Sequence, residues 1–231
     1  MYPYYLGYGM DFSYLFLMLV CFVIGAGAQF FIKKAYNHYL TVPSRLNTTG
    51  AELARRMLNE GGASNIDIQH IDGRLTDNFN PQEESLFLSQ DNFSGGSVAS
   101  IAVACHEAGH AVQRAHGYLF YRLRTALVPV VNIAQNIWIY LLILGFALRM
   151  FGLVQLALIL FGSSIVFHLL TLPVEIDASR RALAFIKAQG SEIDYEGSKQ
   201  VLTAAALTYV AGALVSVLQF IYMMSRYNSR D

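Results

Sequence analysis

His106, Glu107 and His110 stand in a His-Glu-Ala-Gly-His run. On a helix, positions i and i+4 share a face one turn apart, so both imidazoles can reach one metal ion. Glu107 then projects beside them, placed to take a proton from a metal-bound water. Two neutral nitrogen ligands and a carboxylate base are the working parts of a zinc peptidase. The plainer alternative is a surface helix carrying two solvated histidines.

A catalytic zinc normally has three protein ligands, so the run needs another donor. His116 has the spacing of the extended His-x-x-x-His-x-x-Gly-x-x-His pattern. That pattern turns the chain at a glycine, and here Gln113 sits there in a good helical sequence. His116 is therefore read as the helix end before Gly117. The better candidate is Glu175, in Leu172-Pro173-Val174-Glu175. Asp177 is the alternative, but on a helix it points about 200° away from Glu175, so one of the two faces the metal and not both. The site is thus expected to hold one zinc ion on His106, His110 and Glu175, with Glu107 as the catalytic base. Arg180, Tyr209 and His168 are candidate oxyanion donors, although His168 is read first as a histidine hydrogen-bonded inside a helical bundle. Cys105 points about 100° from His106 and reads as a small buried hydrophobe.

The elements that must position these groups are mostly apolar. Hydrophobic residues make up 55% of the 231 and charged ones 14%, where a soluble domain carries about a quarter charged residues. Four stretches reach the roughly 20 apolar residues that cross a bilayer: about Phe12–Ile32, Ala126–Leu148, Phe151–Leu172 and Val201–Met224. The second and third form a hairpin about Arg149–Gly152. His106 and His110 precede that hairpin and Glu175 follows it, so the there-and-back crossing returns all three to one membrane face.

The first stretch is read as an anchor and not a cleaved signal, because Lys33-Lys34 follow it and no Lys or Arg precedes it. That charge order puts the N-terminus outside. Arg45, Arg55, Arg56, Arg122, Arg124, Arg180, Arg181, Lys187 and Lys199 then lie inside, with Arg149, Arg226 and Arg230 outside. A cell-membrane, multi-pass protein with a cytoplasmic catalytic domain is expected. The net charge of zero gives no case for nucleic acid. Cys21 and Cys105 form no disulfide framework.

Between the first two spans lies the polar segment that carries the histidines. Thr48 or Thr49 caps a helix with Ala51, Ala54, Met57 and Leu58 as its apolar stripe, ended by Gly61-Gly62. Ile66, Ile68 and His70 alternate as in a strand. Asp77–Pro81 reads as a turn and Ser85–Ser89 as a second strand. The metal helix runs from about Ser97 to Ala115. Leu86–Ser89 is a candidate free edge to which an extended peptide substrate could add, or an ordinary structural strand.

The spans themselves carry packing signals. Asn132, Gln135 and Asn136 give the second a polar stripe that should face helices or a wet cavity, not lipid. Ala204, Thr208, Gly212 and Ser216 give the fourth a close-packing face, against another span or in a homo-oligomer. Trp138 falls mid-span and reads as packing, while the tyrosines near the N-terminus fit bilayer-edge anchoring only in part.

The run His106–Gln113, with Leu123–Asn132, Leu172–Glu175, Ala178–Leu183 and Ala204–Val210, resembles the YugP-like family of membrane neutral zinc metallopeptidases over nearly the whole chain. A more distant likeness is to HtpX-type and CAAX-processing membrane metallopeptidases, whose ligand Glu lies in a Glu-x-x-Ala-Asp helix. Glu175 and Ala178 match that helix, but Ser179 replaces its Asp, which puts in doubt the partner that orients a ligating histidine.

These readings together predict a mainly α membrane protein: four transmembrane helices plus a small α+β, zincin-like cytoplasmic domain. The expected units are an anchor at 1–32, the metallopeptidase domain at 33–125, the hairpin at 126–172, a cytoplasmic helix with the third ligand at 173–200 and the last span at 201–231. The expected activity is zinc-dependent endopeptidase cleavage at the cytoplasmic membrane face, gluzincin-type, acting on a peptide or membrane-protein substrate. Two alternatives stand beside it. One is an intramembrane site-2-type protease, for which Asp177 would have to complete the metal site. The other is a non-enzymatic scaffold with a structural metal.

Overall fold

The computed structural model describes residues 12–228; Tyr2, Tyr4, Tyr5, Tyr8 and Arg230 lie outside that range. The chain is mostly helical with one small sheet. Among the described residues, four helices are long and apolar enough to cross a membrane. They are α1 (Phe12–Leu40), α5 (Leu119–Ala147), α6 (Phe151–Ala188) and α7 (Glu192–Asn228), and the shorter elements fall between α1 and α5. All four outrun the apolar stretches that mark them. The 38 residues of α6 span about 57 Å, nearly twice a hydrocarbon core. What the sequence divides into a span and a separate helix is therefore one rod, which carries Glu175 out past the apolar region.

The long helices pack in the order α5–α6–α7–α1. The α5–α6 turn is tight, with Arg149 at φ 55° and Gly145 close against Val154. On α7, Gly212 of the small-residue stripe lies against His168 of α6. Trp138 packs on Phe161 of α6, ring centroids 4.8 Å apart.

At the polar end, α2 (Gly50–Glu60), α3 (Gln90–Phe93) and α4 (Val98–Ala115) surround three strands. Thr49 and Glu52 close a capping box at the start of α2, and Ser97 caps α4. The strands are β1 (Asp67–Ile71), β2 (Asn78–Asn80) and β3 (Ser85–Ser89), in the order β1-β3-β2, with β1 parallel and β2 antiparallel to β3.

The sheet departs from the sequence expectations in two places. Asn78–Asn80 is a strand and not part of a turn, paired from Asn78↔Phe87 to Asn80↔Ser85. Its register is pinned by Asp77, whose carboxylate accepts from the Ser89 N–H at 2.7 Å and from Asn92 at 2.9 Å. Leu86–Ser89, in consequence, is not a free edge. It is central, and Leu86 and Leu88 are fully buried. The outer edge on that side belongs to β2.

The core of this end runs from Leu53 and Leu58 of α2 through Leu86 and Leu88 to Ile101 and Ala104 of α4. It continues onto Ala182 and Ile186 of α6 and Val201 of α7. The ends of α6 and α7 thus belong to the same core as α4, which fixes α6 against the histidine-bearing helix.

Candidate metal centre

Fourteen of the 18 residues of α4 are buried. Its alanines keep it narrow, and Gly109 lets it touch α6. A Cβ placed on Gly109 would lie 2.8 Å from the Ala178 carbonyl oxygen. That close approach sets His106 and His110 opposite Glu175, one turn before Ala178. The three are 8%, 7% and 2% exposed.

The Nε2 atoms of His106 and His110 lie 3.2 Å and 3.6 Å from Glu175 Oε2. Ligands about 2.05 Å from a tetrahedral zinc are separated by roughly 3.3 Å. The three ligand atoms lie within 4.8 Å of one another, so the triad fits a single ion with modest adjustment. The donor set suits zinc, with two imidazoles and one carboxylate.

Both imidazoles are oriented through their other nitrogen. Ser179 Oγ meets His106 Nδ1 at 3.1 Å. Gln113 Oε1 meets His110 Nδ1 at 3.0 Å, and its amide donates to Val174 O and Asp177 Oδ2, both at 2.8 Å. With both amide protons donated, Gln113 presents only its carbonyl oxygen to His110. That oxygen accepts an Nδ1 proton and leaves Nε2 free for the metal.

Asp177 is therefore engaged elsewhere, by Gln113 and by the Arg181 guanidinium at 2.6 Å. Ser179, at the position where a Glu-x-x-Ala-Asp helix would carry its Asp, supplies the contact that orients His106. The role of Gln113 escaped sequence reasoning, which placed it on the face of His106 and His110 and in the slot of the pattern's glycine but gave it no contact. Its position three residues after His110, on the same helix face, was the available signal.

His116 caps the end of α4 and faces Arg181, away from the metal triad. Cys105 is fully buried, and burial pushes its thiol up.

Glu107 points into a cavity of about 640 Å³. Burial pushes its carboxyl up to about 7, with the charges of Glu175 and Asp77 in the same direction; His106 and the Phe79 backbone N–H oppose this. Burial would raise the Glu175 carboxyl too, but the hydrogen bonds and charge of His106 and His110 outweigh it and hold it below the usual carboxylate range.

Edge strand β2 forms one side of the cavity, and the start of α5, with Tyr121 and Arg124, forms another. Tyr209 of α7 lines the cavity beside Glu175. Of the other sequence-derived oxyanion candidates, Arg180 is exposed, and His168 lies two turns deeper against Gly212.

The comparisons with known proteins agree with this chemistry. A family model described as "Putative neutral zinc metallopeptidase" matches residues 14–228. The chain belongs to this family. It is also similar to "Putative membrane protease YugP" of Bacillus subtilis (strain 168), with 38% identity over 221 residues, covering 94% of this chain and 98% of that protein. No solved structure matches the chain. With a membrane protease as relative and four spanning-length apolar helices, this member of the zinc metallopeptidase family is a multi-pass membrane protein.

Proposed function

We propose that the protein is a zinc-dependent endopeptidase cleaving polypeptides at the cytoplasmic face of the cell membrane. The observation that carries this reading is the meeting of His106, His110 and Glu175 beside the Glu107 carboxylate, at the inner end of a cavity bordered by a strand edge. His106, His110 and Glu175 hold one ion. When bound, zinc supplies Lewis acidity, polarising a peptide carbonyl and acidifying water.

The chain's own residues do the rest. Glu107, raised towards neutral by burial, takes a proton from water and passes it to the leaving amine. The outer edge of β2 pairs with the main chain of an extended substrate, in a small zincin-like domain. The Tyr209 hydroxyl donates to the oxyanion. Basic residues gathered at the polar end, among them Arg45, Arg55, Arg56, Arg122 and Arg181, support a cytoplasmic placement; among the described residues Arg149 and Arg226 lie at the other end.

The test is Glu107→Gln in full-length protein. It should keep the wild-type zinc content and lose cleavage by about 10²–10⁴-fold. Wild-type turnover in the variant would refute the assignment of the base. A wild-type protein that binds zinc and cleaves nothing would return the scaffold reading.

A further inference from the structure

The cavity does not stop at the metal. Its α5 wall is one helix face, Tyr121, Arg124, Thr125, Val128 and Asn132, and it runs about two turns into the apolar stretch that begins near Ala126. Asn136 continues the same face one turn deeper and is exposed. This helix packs along α6 and has no extended contact with α7 among the described residues. Glu175, His168 and Phe161 follow one another at seven-residue intervals on one face of α6, between α5 and α7. About 21 Å from Glu175 along that face, Trp138 of α5, Phe161 of α6 and Phe220 of α7 join in an aromatic layer, with centroids 4.8 Å and 6.4 Å apart.

Unused hydrogen-bonding capacity collects between the metal and that layer. Arg124 Nε and Gln135 Nε2 are buried without a partner. Pro129, on the cavity wall, has no N–H to give the Thr125 carbonyl. Polar groups at membrane depth are costly unless they meet protein or a water-filled space. The amides a docked group can reach on this face are the exposed Asn132 and Asn136; a lipid tail would satisfy neither, whereas a polypeptide main chain offers both donors and acceptors.

We propose that this α5 face is the docking surface for a membrane-anchored polypeptide, whose extended stretch beside its own spanning helix enters sideways from the bilayer and reaches the metal. The inference rests on the peptidase reading above and names its substrate class. Arg124, Thr125, Asn132 and Asn136 replace the solvent that the stretch loses, and the edge of β2 pairs with it from the opposite side.

The full chain in liposomes is offered two probes: β-casein free in solution, and β-casein fused to a single polyleucine spanning helix. The fused probe should be cut close to its helix. Asn136→Trp should raise the KM for the fused probe about tenfold with kcat unchanged, and should leave free casein untouched. Ile143→Trp, at an exposed position further along α5, should change neither.

A photo-crosslinking residue at 136 in the Glu107→Gln chain gives a readout without a bulky substitution. It should capture the fused probe and not free casein. Cleavage of free casein alone, equal effects of Asn136→Trp on both probes, or capture of lipid or a second copy at 136 would overturn the docking surface and leave the peptidase reading standing. Cleavage of neither probe by zinc-loaded wild type would remove both.

Discussion

Helices α4 and α5 both border the cavity, and they are built in opposite ways. In α4, 14 of 18 residues are buried, locked among α2, α6, α7 and the strands. In α5, four of 29 are buried, and the helix leans on α6. The first carries His106, Glu107, His110 and the orienting Gln113, and it is held against Glu175 and Ser179 of α6, all groups that must be placed to a fraction of an ångström. The second carries groups that must be reachable. Rigidity is confined to the side that does chemistry, and openness to the side that faces a membrane.

The rigid side breaks most sharply at its buried amide. Gln113→Leu keeps the volume of the side chain but removes the acceptor for His110, and should weaken zinc affinity about 10–100-fold. Competition with a chromophoric chelator reads this directly, and an unchanged affinity would make Gln113 mere filling.

Next comes acidity. A base must be deprotonated to act, so kcat/KM should fall about tenfold per pH unit on the acid side of a limb at or below pH 7. Burial raises Glu107 to about 7, and a bound cation beside it moves the limb down from there. An acid limb lying above pH 7 would exclude Glu107 as the titrating base.

A wedge tests the contact between rods. Gly109→Ala puts a methyl against the Ala178 carbonyl and should cost about 1–3 kcal/mol of stability, read by denaturant melting in detergent. The mirror experiment on the open side is Ile143→Ala, exposed on α5, which should change stability by less than about 0.5 kcal/mol. If the two substitutions cost the same, the contrast between the helices is wrong.

Much of this was legible in the chain. The spacing of His106 and His110 fixes a shared helix face, and two intervening apolar stretches return Glu175 to them; both are local or topological facts. The sheet was harder. Asn78–Asn80 reads as a turn because its residues favour turns, and only the distant bonds from Asp77 to Ser89 and Asn92 make it a strand. Leu86–Ser89 reads as either a free edge or an ordinary structural strand, and the second holds, its hydrophobicity reflecting burial on both sides and not exposure. Gln113 and Ser179 orient histidines through contacts that close only after α4 and α6 meet. No periodicity encodes that meeting, although a glycine between two histidines hints at it.

The most direct test is the zinc content of purified full-length protein beside two single variants. Wild type should carry about one zinc per chain. Asp177→Ala should retain it with weaker affinity, because it loosens only the Gln113 support. Glu175→Ala should lose it. Full zinc in Glu175→Ala, or loss confined to Asp177→Ala, would contradict the triad on which the whole account stands.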